Sequence, residues 1–267
     1  MTNLSDLTAQ LVSEGYNLIN AQARVCQDTV LKALSSGDLN RNITIKGGVV
    51  MRSITGNVRR ATQDMDLDFI RYSLSDDSIR TFIRKLNCLD GIHITLTGEI
   101  EELSQQEYRG KRVHITLSDD FGNTFKNKID LGVHKEVQID QDEYCFDVCL
   151  DDEGVSLLVN SKEQIFTEKL RSLLRFGPIS TRYKDVFDMA YLSDHVDPTR
   201  MQQCIDTYIF QASEMRERNL ADVITRIEMT FRNRNYRRNI ERASHANWLD
   251  IPTDDAMNKI LGFLHVL

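Results

Sequence analysis

The sequence predicts an α+β fold, in which a sheet domain with flanking helices is followed by a helical carboxy-terminal region. Several segments between residues 64 and 133 alternate apolar and polar residues with the period of a β-strand. From about residue 162 onward, apolar residues follow the spacing of helices instead. No Pro/Ser-rich linker separates the two parts. We therefore expect an α/β core with amino-terminal helices over residues 1–160 and a helical domain over residues 161–267.

The expected elements of the core follow in chain order. Helical spacing predicts a helix over residues 4–34, which the Ser/Gly-rich residues 35–38 end. A short strand at residues 43–45, a glycine turn and a helix at residues 49–54 come next. Further strands are predicted at residues 64–70 and 92–96, with a helix over residues 76–89 between them. A hairpin then joins residues 113–117 to residues 126–133 through a turn at residues 119–123.

The composition is that of an ordinary globular protein, with 267 residues and a net charge of −7. A chain of this charge repels polyanions, so nucleic-acid binding would require a local basic patch. The five cysteines include no Cys-x-x-Cys pair and the six histidines show no zinc-binding spacing. The amino terminus lacks a signal-peptide pattern, and no run of about 18 apolar residues is present to span a bilayer. We expect a cytoplasmic protein.

Three aspartates alternate with apolar residues in Asp64-Met-Asp66-Leu-Asp68. Because strand side chains alternate between the two faces, all three carboxylates should share one face. Close carboxylates repel one another, so a cation is expected beside them, and Mg²⁺ prefers such oxygen ligands. Two metal ions would clamp the attacking and leaving oxygens of a phosphoryl or nucleotidyl transfer. The alternative is an exposed sheet edge with solvated aspartates.

Lys46-Gly47-Gly48 lies upstream, between a predicted strand and a predicted helix. Glycine lets the backbone approach phosphate oxygens closely, and amides at the start of a helix point toward a bound anion. A Gly-Gly pair is also a common turn, so the purely structural interpretation stays open.

Gly47-Gly48, a short helix and Arg60-x-Thr62-x-Asp64-x-Asp66 entering a strand resemble the opening motif of the polymerase-beta-type nucleotidyltransferase fold, as found in the AbiEii/AbiGii toxin family. Where that family has Gly-Gly-Thr or Gly-Ser, this chain has Val49, so a hydroxyl that would contact phosphate is missing.

The resemblance implies roles for several residues. Asp64 and Asp66 would be the metal-binding pair, and Asp130 matches a third carboxylate of the fold, although it is equally consistent with an exposed strand residue. Arg60 would hold a phosphate or form a salt bridge with the aspartates. The nucleotide-binding residues would be Lys46, Gly47, Gly48, Arg60 and Thr62.

A second motif lies on the helical side, where Glu168-Lys169-Leu170 is followed by Arg182-x-x-Asp185-x-x-Asp188-x-x-x-Leu192. It resembles the family's other signature, so that the resemblance covers roughly residues 30 to 195. By that resemblance, Lys169 contacts the triphosphate and Asp185 accepts a proton from the nucleophile or orients it. The alternative is a surface ion pair between Lys184 and Asp188, with Lys169 and Arg171 on a solvated face.

A basic stretch between Arg216 and Arg242 carries eight arginines against four acidic residues. With Phe231, Tyr236 and Trp248 nearby, it combines phosphate-binding charge with stacking groups, as an RNA-contacting surface would. The alternative is a solvated arginine-rich helix paired with the acidic body of the protein.

The resemblance implies a nucleotidyltransferase toxin of a toxin–antitoxin or phage-defence system. With Mg²⁺ or Mn²⁺ it would move an NMP from an NTP to an acceptor hydroxyl, with tRNA as the expected acceptor and a small antitoxin protein as partner. Two alternatives remain open: a non-catalytic regulatory or binding protein on the same fold, and nucleotidylation of a protein target.

Overall fold

The computed structural model describes residues 2–103, 110–134 and 139–267, and the chain divides into two compact units, Met1–Asn160 and Ser161–Leu267. The first unit is built on a seven-stranded mixed sheet with helices, and the second is helical. The predicted mixture of a sheet domain and a helical region is confirmed.

The first unit contains four α-helices and seven strands among its described residues. The helices are α1 (Leu4–Ser13), α2 (Leu18–Ser36), α3 (Gly47–Thr55) and α4 (Asp76–Lys85). The strands are β1 (Ile43–Lys46), β2 (Met65–Phe69), β3 (Ile92–Leu103), β4 (Gly110–Asp119), β5 (Thr124–Val133), β6 (Asp142–Val148) and β7 (Asp151–Val159). They are arranged in the order β3-β4-β5-β2-β1-β7-β6.

The strand β2 lies at the centre of this sheet, antiparallel to β1 and parallel to β5. Its apolar residues Met65, Leu67 and Phe69 are buried, as their alternation predicts. The helix α2 packs against β5, β6 and β7, and α3 packs against β1 and β2. The central position of β2 brings its aspartates between residues of two neighbouring strands.

Two expectations for this unit were wrong or incomplete. The single helix predicted over residues 4–34 is two helices, because Gly15 adopts a φ of +105° and Asn17 then caps α2 by accepting a hydrogen bond from the amide of Asn20. The hairpin of β6 and β7 has no counterpart among the predicted elements. The hairpin of β4 and β5 is confirmed, with Ser118 paired to Thr124 beside the turn.

The second unit contains six α-helices: α5 (Lys162–Phe176), α6 (Tyr183–Leu192), α7 (Pro198–Ile205), α8 (Leu220–Arg232), α9 (Arg234–Arg242) and α10 (Thr253–Val266). The helix α5 begins with a capping box between Ser161 and Gln164, and packs against α6, α7 and α8. The helix α10 covers α6 and α8. In the part of the chain that the structure describes, no helix is long and apolar enough to cross a membrane.

Candidate active site

A row of four charged side chains crosses the centre of the sheet. The strand register pairs Lys46 with Asp66, Asp66 with Asp130, and Asp130 with Arg112. Residues directly paired on neighbouring strands point to the same face. The carboxylates of Asp66 and Asp130 therefore lie side by side, with Lys46 on one side of the pair and Arg112 on the other.

The other two aspartates of the motif lie beside this row. Asp64 precedes β2 and is exposed, and its Oδ1 is 2.9 Å from Nζ of Lys128 on β5. Asp68 is buried, and its Oδ1 is 3.0 Å from Nζ of Lys46. Lysines from the strands on either side of β2 thus counter part of the repulsion between the three aspartates.

The glycine turn lies directly against the aspartate segment. Gly47 has a φ of +64°, and a Cβ placed on it would lie 2.5 Å from Oδ2 of Asp66. A Cβ on Gly48 would lie 2.5 Å from Oγ1 of Thr62. The turn therefore requires glycine for its backbone conformation and for its close approach to the motif residues.

The segment before β2 is fixed by Gln27 of α2, whose buried amide group donates hydrogen bonds to the carbonyl oxygens of Thr62 (3.0 Å) and Asp64 (3.3 Å). Arg60 lies in a short 3-10 turn, Val58–Arg60, and is only 3% exposed. Val49, at the position of the family's hydroxyl residue, is fully buried in α3. Phosphate contacts at the start of α3 would therefore come from backbone amides.

Asp130 is bound by Arg112 through both carboxylate oxygens. Nε of Arg112 donates to Oδ1 at 2.7 Å, and Nη2 donates to Oδ2 at 2.8 Å. These hydrogen bonds are the main reason why the pKa of Arg112 is raised above its ordinary value. Asp130 lies beside Asp66, where a third metal-binding carboxylate is expected, but its carboxylate is bound by Arg112.

The residues present suit a divalent cation of the magnesium type. Asp64, Asp66 and Asp130 offer only carboxylate oxygens, the ligands that Mg²⁺ prefers. Because Gly47 has no Cβ, there is space beside Oδ2 of Asp66 that the side chain of any other residue at this position would fill. Among the described residues, no three His, Cys, Asp or Glu side chains already form a metal-binding cluster. Metal binding would therefore require the lysine and arginine partners to move.

The second motif forms a buried network of charges within the helical unit. Nζ of Lys169 lies 2.6 Å from Oδ1 of Asp185 and 2.8 Å from Oδ2 of Asp188. Arg182 donates to Oδ2 of Asp185 at 2.6 Å, and Trp248 donates to Oδ1 of Asp188 at 2.9 Å. Burial alone would raise the pKa of Asp185, but Lys169 and Arg182 outweigh it and lower that pKa well below the ordinary range.

The solvated-face alternative for this motif was wrong. Lys169, Arg171 and Asp188 are 5%, 3% and 0% exposed. Asp188 is therefore a buried residue bound by Lys169 and not part of a solvated face, and Arg171 contacts Glu214 at 2.8 Å.

The basic stretch lies on α8, α9 and the segment before them, and most of its arginines are exposed. The expectation that its aromatic residues stack on bases was wrong. Phe231, Tyr236 and Trp248 are 3%, 0% and 2% exposed, because they form the apolar side of these helices and the core beneath them. The basic stretch therefore offers positive charge for phosphate contacts, without these aromatic residues as stacking groups.

Sequence reasoning missed Arg112, Lys128 and Gln27. Arg112 could have been found from the hairpin, because its turn at residues 119–123 fixes the register that pairs Arg112 with Asp130. Lys128 could not, because its contact with Asp64 depends on which strand lies beside β2. No sequence signal distinguishes Gln27 from other polar residues of α2.

The mixed sheet, with a glycine turn set against paired carboxylates, is the arrangement that the two sequence motifs predict for a nucleotidyltransferase. A family model described as "Nucleotidyl transferase AbiEii toxin, Type IV TA system" matches residues 29–255. The chain belongs to this family, and the resemblance predicted from its two motifs is confirmed.

Among solved structures, the chain is similar to an antigenic nucleotidyltransferase-like protein from Paracoccidioides brasiliensis. The two chains are 15% identical, and the match covers 82% of this chain and 92% of the other with a TM-score of 0.49. No curated protein matches the chain.

Proposed function

We propose that the protein transfers an NMP from an NTP to an acceptor hydroxyl. The acceptor oxygen forms a bond with the α-phosphorus, the bond from that phosphorus to the bridging oxygen of the β-phosphate breaks, pyrophosphate leaves, and the hydroxyl proton passes to solvent. The observation that carries this proposal is the contact of the glycine turn with the carboxylate motif, Gly47 against Asp66 and Gly48 against Thr62. A phosphate bound at the turn would lie beside the metal-binding carboxylates.

Each predicted site residue of the sheet unit has a role in this proposal. Asp64 and Asp66 would hold a divalent cation, Mg²⁺ or Mn²⁺, with Asp130 as a further ligand. When bound, such an ion neutralises phosphate charge and activates the attacking oxygen. The amides of Gly47 and Gly48 at the start of α3 bind phosphate oxygens. The remaining phosphate contacts are assigned to Lys46, Arg60 and Thr62.

Lys169 and Asp185 are proposed to act as a pair. Lys169 is proposed to bind a phosphate, and Asp185 holds its ammonium group at 2.6 Å. Because its pKa is lowered, Asp185 is a poor proton acceptor at neutral pH. This favours a role in orienting Lys169 or the acceptor over a role as general base.

The acceptor is proposed to be the 3′ end of an RNA, with tRNA as the first candidate, and a cognate antitoxin is the proposed protein partner. The buried Val49 favours a second candidate function, that of a non-catalytic regulatory or binding protein on the same fold, because the proposed phosphate site lacks the hydroxyl found elsewhere in the family. Transfer to a protein target is the alternative within the same chemistry.

The test uses purified protein, Mg²⁺ and total tRNA with each NTP, labelled with ³²P at either the α- or the γ-phosphate. Label from the α position alone should appear on RNA, and an Asp64→Ala, Asp66→Ala variant should transfer none. Label on RNA from the γ-labelled NTP would show that the protein transfers a phosphoryl group and not an NMP. Absence of label from every NTP, despite NTP binding in calorimetry, would establish the non-catalytic function.

A further inference from the structure

Three arginines form a row along the helix α9. Arg234, Arg238 and Arg242 are four residues apart, so they lie on one side of the helix, with about 6 Å between neighbours along its axis. All three are exposed. The opposite side of α9 is formed by Tyr236 and Ile240, which are 0% and 2% exposed. Burial of these two side chains directs the three arginines, which we call the arginine row, toward solvent.

The arginine row is not paired with acidic residues in the part of the chain that the structure describes. There, the side chain of Arg238 donates only to Oδ1 of Asn235, at 2.8 Å. The side chains of Arg234 and Arg242 form no hydrogen bond or ion pair with another described residue. The alternative of an arginine-rich helix paired with the acidic body of the protein therefore does not hold for these three residues.

Neighbouring arginines of the basic stretch do have acidic partners. Arg237 pairs with Asp254 of α10, and Arg232 contacts Glu228 of the same helix at 2.8 Å. The only acidic residue of α9 is Glu241, so three arginines against one glutamate leave a net charge of +2 on the exposed side of the helix. This local charge stands out in a chain whose net charge is −7.

The arginine row does not stabilise the helix that carries it. Like charges four residues apart on a helix repel each other. Arg234 also lies in the first turn of α9, where the helix dipole disfavours a cation. A helix that needed charge only for solubility would gain more from glutamate four residues before each arginine. The row therefore points to an anionic ligand that offsets this repulsion.

The exposed side of α9 suits a phosphate backbone better than an acidic protein. Beside the arginine row it carries Asn235, Asn239 and Glu241 and no apolar residue, whereas the centre of a protein interface is enriched in apolar and aromatic side chains. A guanidinium group can donate two parallel hydrogen bonds to a phosphate. The row is about 12 Å long, and a nucleic-acid strand carries a phosphate about every 3.4 Å along its axis, so several phosphates lie within its reach.

We propose that the arginine row of α9 binds the phosphate backbone of the acceptor RNA. This inference rests on the proposed function, which supplies RNA as the ligand, and it names a surface that holds the acceptor. Because phosphates carry no sequence information, the row contributes affinity for RNA and no preference for particular bases.

The probe is a 5′-fluorescein-labelled RNA hairpin with a single-stranded 3′ end, whose binding is followed by anisotropy over a range of KCl concentrations. The α9 variant combines Arg234→Gln, Arg238→Gln and Arg242→Gln. It should bind the hairpin about 100-fold more weakly at about 0.1 M KCl, since each phosphate contact contributes about fivefold. The slope of log K against log salt should become shallower by about 2 to 3. NTP binding should stay unchanged, and the thermal unfolding midpoint should not fall.

The matched control is an α4 variant that combines Arg80→Gln, Arg84→Gln and Lys85→Gln, which removes three exposed cations from α4. It changes the net charge of the protein by the same amount. Because α4 also carries Asp76 and Asp77, its cations do not form an uncompensated row. The α4 variant should weaken RNA binding by less than about threefold, since charges distant from the bound RNA are screened by salt.

Equal RNA binding by the wild type and the α9 variant overturns the inference, and so does an equal loss in the α4 variant. Wild-type protein that binds polyglutamate as tightly as RNA, with the same loss in the α9 variant, would assign the row to an acidic protein instead. Wild-type protein that labels RNA while the α9 variant keeps the same KM for it refutes the row alone. Wild-type protein that transfers no label, although the α9 variant loses RNA affinity, refutes the transfer reaction and leaves the row as an RNA-binding surface.

Discussion

Arg112 binds Asp130 through both carboxylate oxygens, at 2.7 and 2.8 Å, directly beside Asp66. This bidentate pair places a cation of the protein where a third carboxylate would meet a metal ion. Lys128 pairs with Asp64 through a single contact, between its Nζ and Oδ1 of Asp64 at 2.9 Å. Two of the three proposed metal-binding carboxylates, those of Asp64 and Asp130, are thus paired with cations of the chain itself, and metal binding must compete with these partners.

Removing Arg112 should therefore strengthen metal binding. A hydrogen bond between charged groups contributes roughly 1.5–3 kcal/mol, so Arg112→Gln should tighten Mn²⁺ binding in the absence of nucleotide by about tenfold or more. Mn²⁺ titration followed by electron paramagnetic resonance measures this directly. Arg80→Gln on α4 is the control. Unchanged or weaker Mn²⁺ binding in Arg112→Gln would show that Asp130 is not a metal ligand.

The two glycines at the ends of α3 provide a matched pair of variants. Gly47 and Gly56 both have positive φ, of +64° and +58°, so an alanine at either position should cost about 1–2 kcal/mol of stability. Only at Gly47 would the added Cβ meet Asp66, because nothing lies within 4 Å of the corresponding position at Gly56. Calorimetry should show lost NTP binding for Gly47→Ala and retained binding for Gly56→Ala. Equal affinities would exclude the turn as the phosphate site.

Lys169 should be a large contributor to stability, because it is the common partner of two buried carboxylates. Lys169→Met leaves Asp185 and Asp188 with one fewer cation in a buried setting and should lower the free energy of unfolding by about 3–5 kcal/mol. Lys259→Met breaks an exposed pair with Asp194 and should cost less than about 1 kcal/mol. Urea unfolding of the two variants distinguishes them, and similar losses would contradict the assignment of a buried network.

The lowered pKa of Asp185 determines how this residue makes the stability of the protein depend on pH. The folded state binds this proton less tightly than the unfolded state, whose pKa is about 3.9. The resulting stabilisation is fully present above that pH and is lost as the pH falls toward the lower pKa of the folded state. Asp185→Asn should therefore show a smaller loss of stability between pH 5 and pH 3 than the wild type. An unaltered pH dependence would assign the acid sensitivity to other groups.

Local patterns in the sequence predicted much of the fold and part of the candidate site. Alternation identified β2, and glycine chemistry identified the turn, because both depend on the residues in the segment itself. The break at Gly15 was missed since apolar spacing continues across it. The contact of Lys128 with Asp64 depends on which strand lies beside β2, and the exposed polar residues of a strand do not specify that. Burial of Tyr236 likewise depends on how α9 packs.

The central claim is that Asp66 takes part in nucleotidyl transfer, and the most direct test compares Asp66→Asn with Asp68→Asn in the α-³²P assay. The two aspartates lie on the same strand and the same face, but only Asp66 contacts the glycine turn and pairs with Asp130. We expect Asp66→Asn to lower kcat by about 1000-fold, as removal of a metal ligand should, and Asp68→Asn to lower it less than about tenfold. Equal losses in the two variants, or wild-type transfer by Asp66→Asn, would contradict this account.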